Sequence, residues 1–125
     1  MLSMTRYGTN DLARAKTFYD AIAEILGAAR VTDRETMVGY KGPDGNMFAI
    51  GTPLAGEATA GNGTQVVFAA PSRAAVDAAH AKALELGGKC EGPPEPRGPQ
   101  EMYFYAAYFR DPDGNKIMVS RQGPE

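Results

Sequence analysis

The feature that most constrains this chain is that it nearly repeats itself. GPDGN occupies Gly42 to Asn46, and DPDGN occupies Asp111 to Asn115. In each, proline presets φ at the second turn position, aspartate tolerates the next, and glycine accepts a positive φ, which describes a tight hairpin. Such turns are common singly. Here each is preceded at corresponding distances by a strand, a helix start and further strands, the helix starts at Asp11 and Ser72 being displaced by about sixty residues. Order and spacing together make the chain two copies of a βαβββ unit.

Periodicity supplies the elements of each copy. Leu12, Ala15, Phe18, Tyr19, Ile22 and Leu26 fall at helical spacing, so an amphipathic helix is predicted over 11–26, capped by Asn10 or Asp11 and ended by Gly27. A shorter helix is announced by Pro71 and Ser72, runs through Val76, Ala79, Ala83 and Leu86, and stops at Gly87 and Gly88. Between Gly and Pro punctuation lie strand-length segments at 2–8, 29–33, 37–41, 47–51, 65–70, 89–91, 102–109 and 116–120. The stretch 53–63 is rich in small residues without a period and reads as a connector. We therefore expect one domain over residues 1–125, with a first module over about 1–58 and a second over about 61–125.

Composition removes several classes of function. Thirteen Lys and Arg against fifteen Asp and Glu give a net charge of -2, too little positive field to hold a phosphate backbone or an anionic membrane surface. Neither nucleic acid nor a membrane is an expected partner. The longest apolar run, 102–109, falls well short of the roughly 20 residues a spanning helix requires. The single cysteine, Cys90, cannot form an intrachain disulfide, and MLSMTRYG shows no secretory pattern, so the cytoplasm is the expected compartment.

Three stretches carry a resemblance: NDLARAKTFYDAI at 10–22, QVVFAAPSRAAVDAAHAKALELGGKCEGPPEPR at 65–97, and YFYAAYFRDPDGNKIMVS at 103–120. With them the chain resembles, over nearly its whole length, the vicinal oxygen chelate superfamily of glyoxalases, bleomycin resistance proteins and ring-cleaving dioxygenases. The resemblance implies an α+β fold in which two tandem βαβββ modules form a cupped mixed sheet with helices on the convex side. It also implies a divalent metal and a small substrate on the concave side, and chains that pair as homodimers through their sheet edges.

In the family, four metal-ligand positions, usually His, Gln or Glu, stand on the first and last strand of each module. Here they fall on Met4, Ala49, Gln65 and Met118. Zinc, nickel, iron and manganese call for imidazole, carboxylate or carbonyl donors, whereas thioether sulfur is a soft ligand. Gln65 alone offers one neutral oxygen, so neither a metal nor another cofactor is expected. The only histidine, His80, falls in the middle of the second helix and reads as a helix residue.

Alternation along the strands puts Arg6 beside Met4, Val67 beside Gln65, Met47 beside Ala49, and Lys116 and Ser120 beside Met118 on the concave face. The same alternation sends Thr5, Tyr7, Phe48, Ile50, Val66, Phe68, Ile117 and Val119 toward the helices. Met4 and Met118 either fill core gaps or line a site, and Arg6 pairs either with a protein carboxylate or with an anionic ligand. Either face of 102–109 offers flat apolar surface, and Tyr105 matches a family position that often carries Tyr, which makes it the expected lining residue. Cys90 reads as a small buried hydrophobe. The candidate ligand-binding set is thus Met4, Arg6, Gln65, Val67, Tyr105 and Met118. The expected function is metal-free binding of a small apolar or aromatic molecule, anionic ones included. A lyase, isomerase or dioxygenase of the same superfamily with an atypical site remains the enzymatic alternative, and a cup filled by its own side chains the structural one.

Overall fold

The computed structural model describes all of residues 1–125. Its elements are β1 (Met4–Gly8), α1 (Leu12–Leu26), β2 (Ala29–Asp33), β3 (Met37–Lys41) and β4 (Met47–Gly51), then β5 (Val66–Ala69), α2 (Arg73–Glu85), β6 (Lys89–Pro96), β7 (Phe104–Arg110) and β8 (Lys116–Gln122). This is the α+β class with two βαβββ modules in tandem. The caps explain the helix limits: Asp11 and Ser72 each accept a backbone N–H three residues on, from Arg14 and Ala75, satisfying a donor the first turn leaves free.

Each module builds its own four-stranded mixed sheet, in the order β1-β4-β3-β2 and β5-β8-β7-β6. In both, the first strand runs parallel to the last, because the intervening helix carries the chain back across the sheet. No ladder joins the sheets, so β1 and β5 are both edge strands and the expected sheet is divided between the modules. The helix-facing sides of the two sheets share one apolar core with both helices, including Phe18, Tyr19, Ile22, Phe48 and Ile50 from the first module and Val76, Ala79, Ala83, Phe109, Ile117 and Val119 from the second. Phe48 meets Phe68 edge-on at 5.1 Å, and Phe18 of α1 meets Phe109 of β7 at 6.1 Å. Small residues on α2 let α1 approach closely, which a bulkier helix face would prevent.

Two segments differ from expectation. β6 continues to Pro96 although Pro93, Pro94 and Pro96 lack donors, which an edge strand tolerates because one side of its backbone needs no partner. β7 begins only at Phe104, after a single 3-10 turn at Gln100–Met102 and a left-handed Tyr103 at φ 48°. Gln65 stands one residue before β5.

The two PDG turns have the same backbone. Gly42 N–H reaches Asn46 O and Gly45 N–H reaches Gly42 O, just as Asp111 N–H reaches Asn115 O and Gly114 N–H reaches Asp111 O. Gly45 and Gly114 take φ of 87° and 90°, where an L side chain would be strained. Their surroundings diverge. Asp111, only 3% exposed, accepts the hydroxyl of Tyr19 at 2.5 Å and the side-chain amide of Asn115 at 2.9 Å. Asp113 accepts Thr9 Oγ1, Asn10 N–H and Arg14 Nη2, and Asn115 Nδ2 donates to Gly8 O. The second turn is thereby stitched to the end of β1 and the start of α1.

Candidate functional site

At the corresponding junction of the other module the stitching is missing. Where Thr9 and Asn10 follow β1, Ala70 and Pro71 follow β5, and where Asp111 opens the second turn, Gly42 opens the first. None of these can donate or accept through a side chain, so nothing draws the 42–46 turn onto β5. A crevice of about 490 Å³ remains between them. Its walls are the start of β1 (Met4, Thr5), both faces of β5 (Val66, Val67, Phe68, Ala69), the second half of α1 (Ile22, Ala23, Leu26) and the 42–46 turn, with Phe48 and Tyr40 at its base. Fifteen of the 22 lining residues are hydrophobic, and the volume falls within the range of small-molecule sites.

The phenols in its walls are already engaged. Tyr40 donates to Asp20 Oδ1 at 2.7 Å and Tyr19 donates to Asp111. Burial is the main reason that both hydroxyls ionise above the ordinary tyrosine range, with the carboxylate each one contacts adding to the shift. They therefore present ring surface rather than free polar atoms, and what the crevice can do chemically is hold an apolar body.

Of the six candidate residues, the structure brings Met4 and Val67 together at this crevice, where they are 45% and 49% exposed. Arg6 lies two residues along β1 from Met4. Its guanidinium donates to Thr52 O at 2.7 Å and approaches Met37 Sδ, and it forms no salt bridge, so its charge is not neutralised by a carboxylate. Gln65 is exposed before β5 and Met118 is nearly buried between its cross-strand neighbours Val67 and Tyr108. Neither lines the crevice.

Tyr105 requires correction. It faces α2, donating its hydroxyl to Asp77 Oδ1 at 2.6 Å with Arg73 stacked 5.1 Å over its ring. The face of β7 that shares Met118's side carries Tyr108 and Ala106 instead, because Tyr108 pairs with Met118 and Ala106 with Ser120. Tyr108 is overlaid by Arg97 at 4.8 Å and by Lys116 at 5.5 Å. Arg97 is held there by donating to Ala106 O and Pro93 O. Cys90 is a second correction: the edge position of β6 leaves it exposed, with its sulfur 3.2 Å from His80 Nε2.

The crevice is not the expected cup of a single sheet, although Met4 and Val67, expected on the concave face, line it. Its one legible signal was the contrast of Gly42, Ala70 and Pro71 with Asp111, Thr9 and Asn10, a pattern visible once the two copies are aligned on their helix starts.

This divided pair of βαβββ modules is a family architecture, and comparison supplies the family. The model of the Glyoxalase/Bleomycin resistance protein/Dioxygenase superfamily matches residues 2–119, and the chain belongs to that superfamily. A glyoxalase/bleomycin resistance protein from Albidiferax ferrireducens T118 is 41% identical, with 97% of this chain and 98% of that one covered and a TM-score of 0.89. At lower identity the fold is shared with a glyoxalase-related enzyme from Fulvimarina pelagi (18% identity, 97% and 87% covered, TM-score 0.73). It is likewise shared with the fosfomycin resistance protein FosX from Mesorhizobium loti (19%, 99% and 92%, 0.65). No curated protein matches the sequence.

The family's divalent metal does not fit the residues present. Met4 and Ala49 belong to one sheet, Met118 belongs to the other and Gln65 stands just before it, and together they offer a single amide oxygen. No group of three or more His, Cys, Asp or Glu side chains is placed to hold an ion elsewhere. An amide oxygen with two thioethers and a methyl group cannot repay the dehydration of a hard divalent cation. No helix is long and apolar enough to cross a membrane.

Proposed function

We propose that this chain binds a small apolar or aromatic molecule in the crevice between β1 and β5, without a divalent metal. The carrying observation is the crevice itself: an apolar space of about 490 Å³ left open where the other module closes the same junction with hydrogen bonds. Met4 at its mouth is adaptable and suits flat ligands of varied outline. Two residues along a strand span about 7 Å, so a carboxylate carried on such a ligand reaches Arg6, whose fork gives paired hydrogen bonds. A neutral ligand binds by the crevice alone. The lone cysteine and the net charge of -2 agree with a cytoplasmic small-molecule binder that works apart from nucleic acid and membranes.

We further propose a homodimer. β2 is a free outer edge that takes no part in the crevice and leaves Val31 exposed, and pairing with the same strand of a second copy would cover it. Light scattering at micromolar concentration should give twice the chain mass, and a single-chain mass would refute the dimer.

Thermal shift tests the binding reading, because a ligand of the native state raises Tm by mass action. Naphthalene-2-carboxylate and its uncharged amide should both stabilise the protein, equally with and without EDTA. Ala69→Trp, which fills the crevice from an exposed strand position, should abolish both shifts, and Arg6→Ala should remove only the advantage of the carboxylate. Shifts that survive Ala69→Trp, or that require added zinc or nickel, would overturn the proposal. So would isomerisation of a glutathione hemithioacetal by the purified protein.

A further inference from the structure

Away from the crevice, the second module places its only histidine against its only cysteine. α2 ends at Glu85, and the chain turns back at once through Gly87 (φ 97°) and Gly88 to begin β6 at Lys89. A Cβ on Gly88 would stand 2.6 Å from Arg110 O and 2.8 Å from Ala83 O, so only glycine permits so tight a return. The result is that Cys90 lies beside His80, with Sγ to Nε2 at 3.2 Å. The two differ in access: His80 is buried, while Cys90 is exposed on the free edge of the sheet.

We propose that Cys90 and His80 form a thiol–base pair that makes Cys90 a site of thiol–disulfide exchange with small-molecule disulfides. In the step, Cys90 Sγ attacks one sulfur of the disulfide as its proton passes to His80 Nε2. The new Sγ–S bond forms, the original S–S bond breaks, and the departing thiolate takes the proton from His80. Cys90 is oxidised to a mixed disulfide and one thiol is released, so no further oxidant is needed.

The surroundings suit this role. Burial holds His80 below its ordinary range, opposed by Asp77 one turn away, so the ring stays neutral and available as a base at neutral pH. Asp77 is itself held by the Tyr105 hydroxyl from β7, with Arg73 over that ring. On β6, Lys89 and Glu91 flank Cys90, and Glu91 is paired with Arg110 of β7. From β8, Arg121 pairs with Glu125, whose carboxylate also accepts Arg73 N–H. The buried face of α1 adds one ionisable side chain, Tyr19, whose hydroxyl is given to Asp111.

The test is the pH profile of Cys90 reacting with 5,5′-dithiobis(2-nitrobenzoate), followed at 412 nm, with glutathione disulfide as a second probe followed by mass. An unassisted thiol ionises near about 8.5, and below that its rate falls tenfold per pH unit. The native protein should react at pH 6.5 about tenfold faster than the same chain unfolded in urea, and its rate should level off below the thiol's own range. His80→Gln, which keeps a polar neighbour but no base, should return the profile to that of the unfolded chain, while Lys89→Ala should leave the levelling in place. A native profile that coincides with the unfolded one overturns the proposal even if His80→Gln fails to fold, and so does a His80→Gln profile that matches the parent. Neither outcome bears on ligand binding in the crevice.

Discussion

The two junctions between the modules are copies of one design, and they are finished differently. Where the 111–115 turn meets β1, four side chains (Tyr19, Thr9, Arg14 and Asn115) and the acids Asp111 and Asp113 close the gap with hydrogen bonds, that of Tyr19 to Asp111 fully buried. Where the 42–46 turn meets β5, the corresponding places hold Gly42, Ala70 and Pro71, and the gap stays open as the crevice. Duplication thus supplies both a lock and a site. A buried turn that satisfies its polar groups rigidifies one junction, and loss of the same groups in the other removes the force that would have closed it.

The largest test of this contrast is Asp111→Ala. It strands the buried Tyr19 hydroxyl and frees three donors from the turn, and should cost about 2–4 kcal/mol in urea denaturation, while Asp44→Ala in the exposed turn should cost less than about 1 kcal/mol. Equal losses would mean the turns differ only in appearance. Tyr19→Phe comes next, at about 1–2 kcal/mol, because the Asp111 carboxylate keeps its other donors. Gly45→Ala and Gly114→Ala should each cost about 1 kcal/mol and agree closely, since backbone strain is shared whatever surrounds the turn. A Gly114→Ala loss several times larger would show that the buried turn resists adjustment as well as strain.

The pH dependence sharpens the same contrast from the side of charge. Burial raises the Asp111 carboxyl above its ordinary range, opposed by the hydrogen bonds from Tyr19 and Asn115. The native state therefore holds that proton more tightly than the unfolded chain, and stability from this group is present at low pH and lost as pH rises from the ordinary carboxylate range through the raised native value. Asp111→Asn should lose less stability than the parent over that interval. Tyr7, Tyr19 and Tyr40 are all raised, chiefly by burial, so their contribution is intact below about pH 10 and lost above it. Tyr19→Phe should flatten that alkaline limb.

Much of the fold was legible because its signals are local. Both helix starts, Asp11 and Ser72, and both glycine turns fell where expected, since a cap or a positive φ is decided within a few residues. The division into two sheets was not legible, because whether β1 pairs with β5 depends on how two separately specified modules dock. Tyr105 shows the same limit at the site: alternation defines two faces of β7, but the attraction of Asp77 and Arg73 on α2 decides which face turns inward. Cys90 shows it again. Ten residues separate it from His80, and only the double-glycine return from α2 to β6 makes them neighbours.

The central claim is that the unlocked junction is the binding site, and methyl-resolved NMR tests it most directly. With methionine, isoleucine, leucine and valine methyls labelled, titration of naphthalene-2-carboxylate in the presence of EDTA should shift Met4, Ile22, Leu26 and Val67. Val31 on β2 and Leu84 on α2, which do not line the crevice, should stay in place. Shifts confined to residues outside the crevice, or none at concentrations that stabilise the protein thermally, would contradict it.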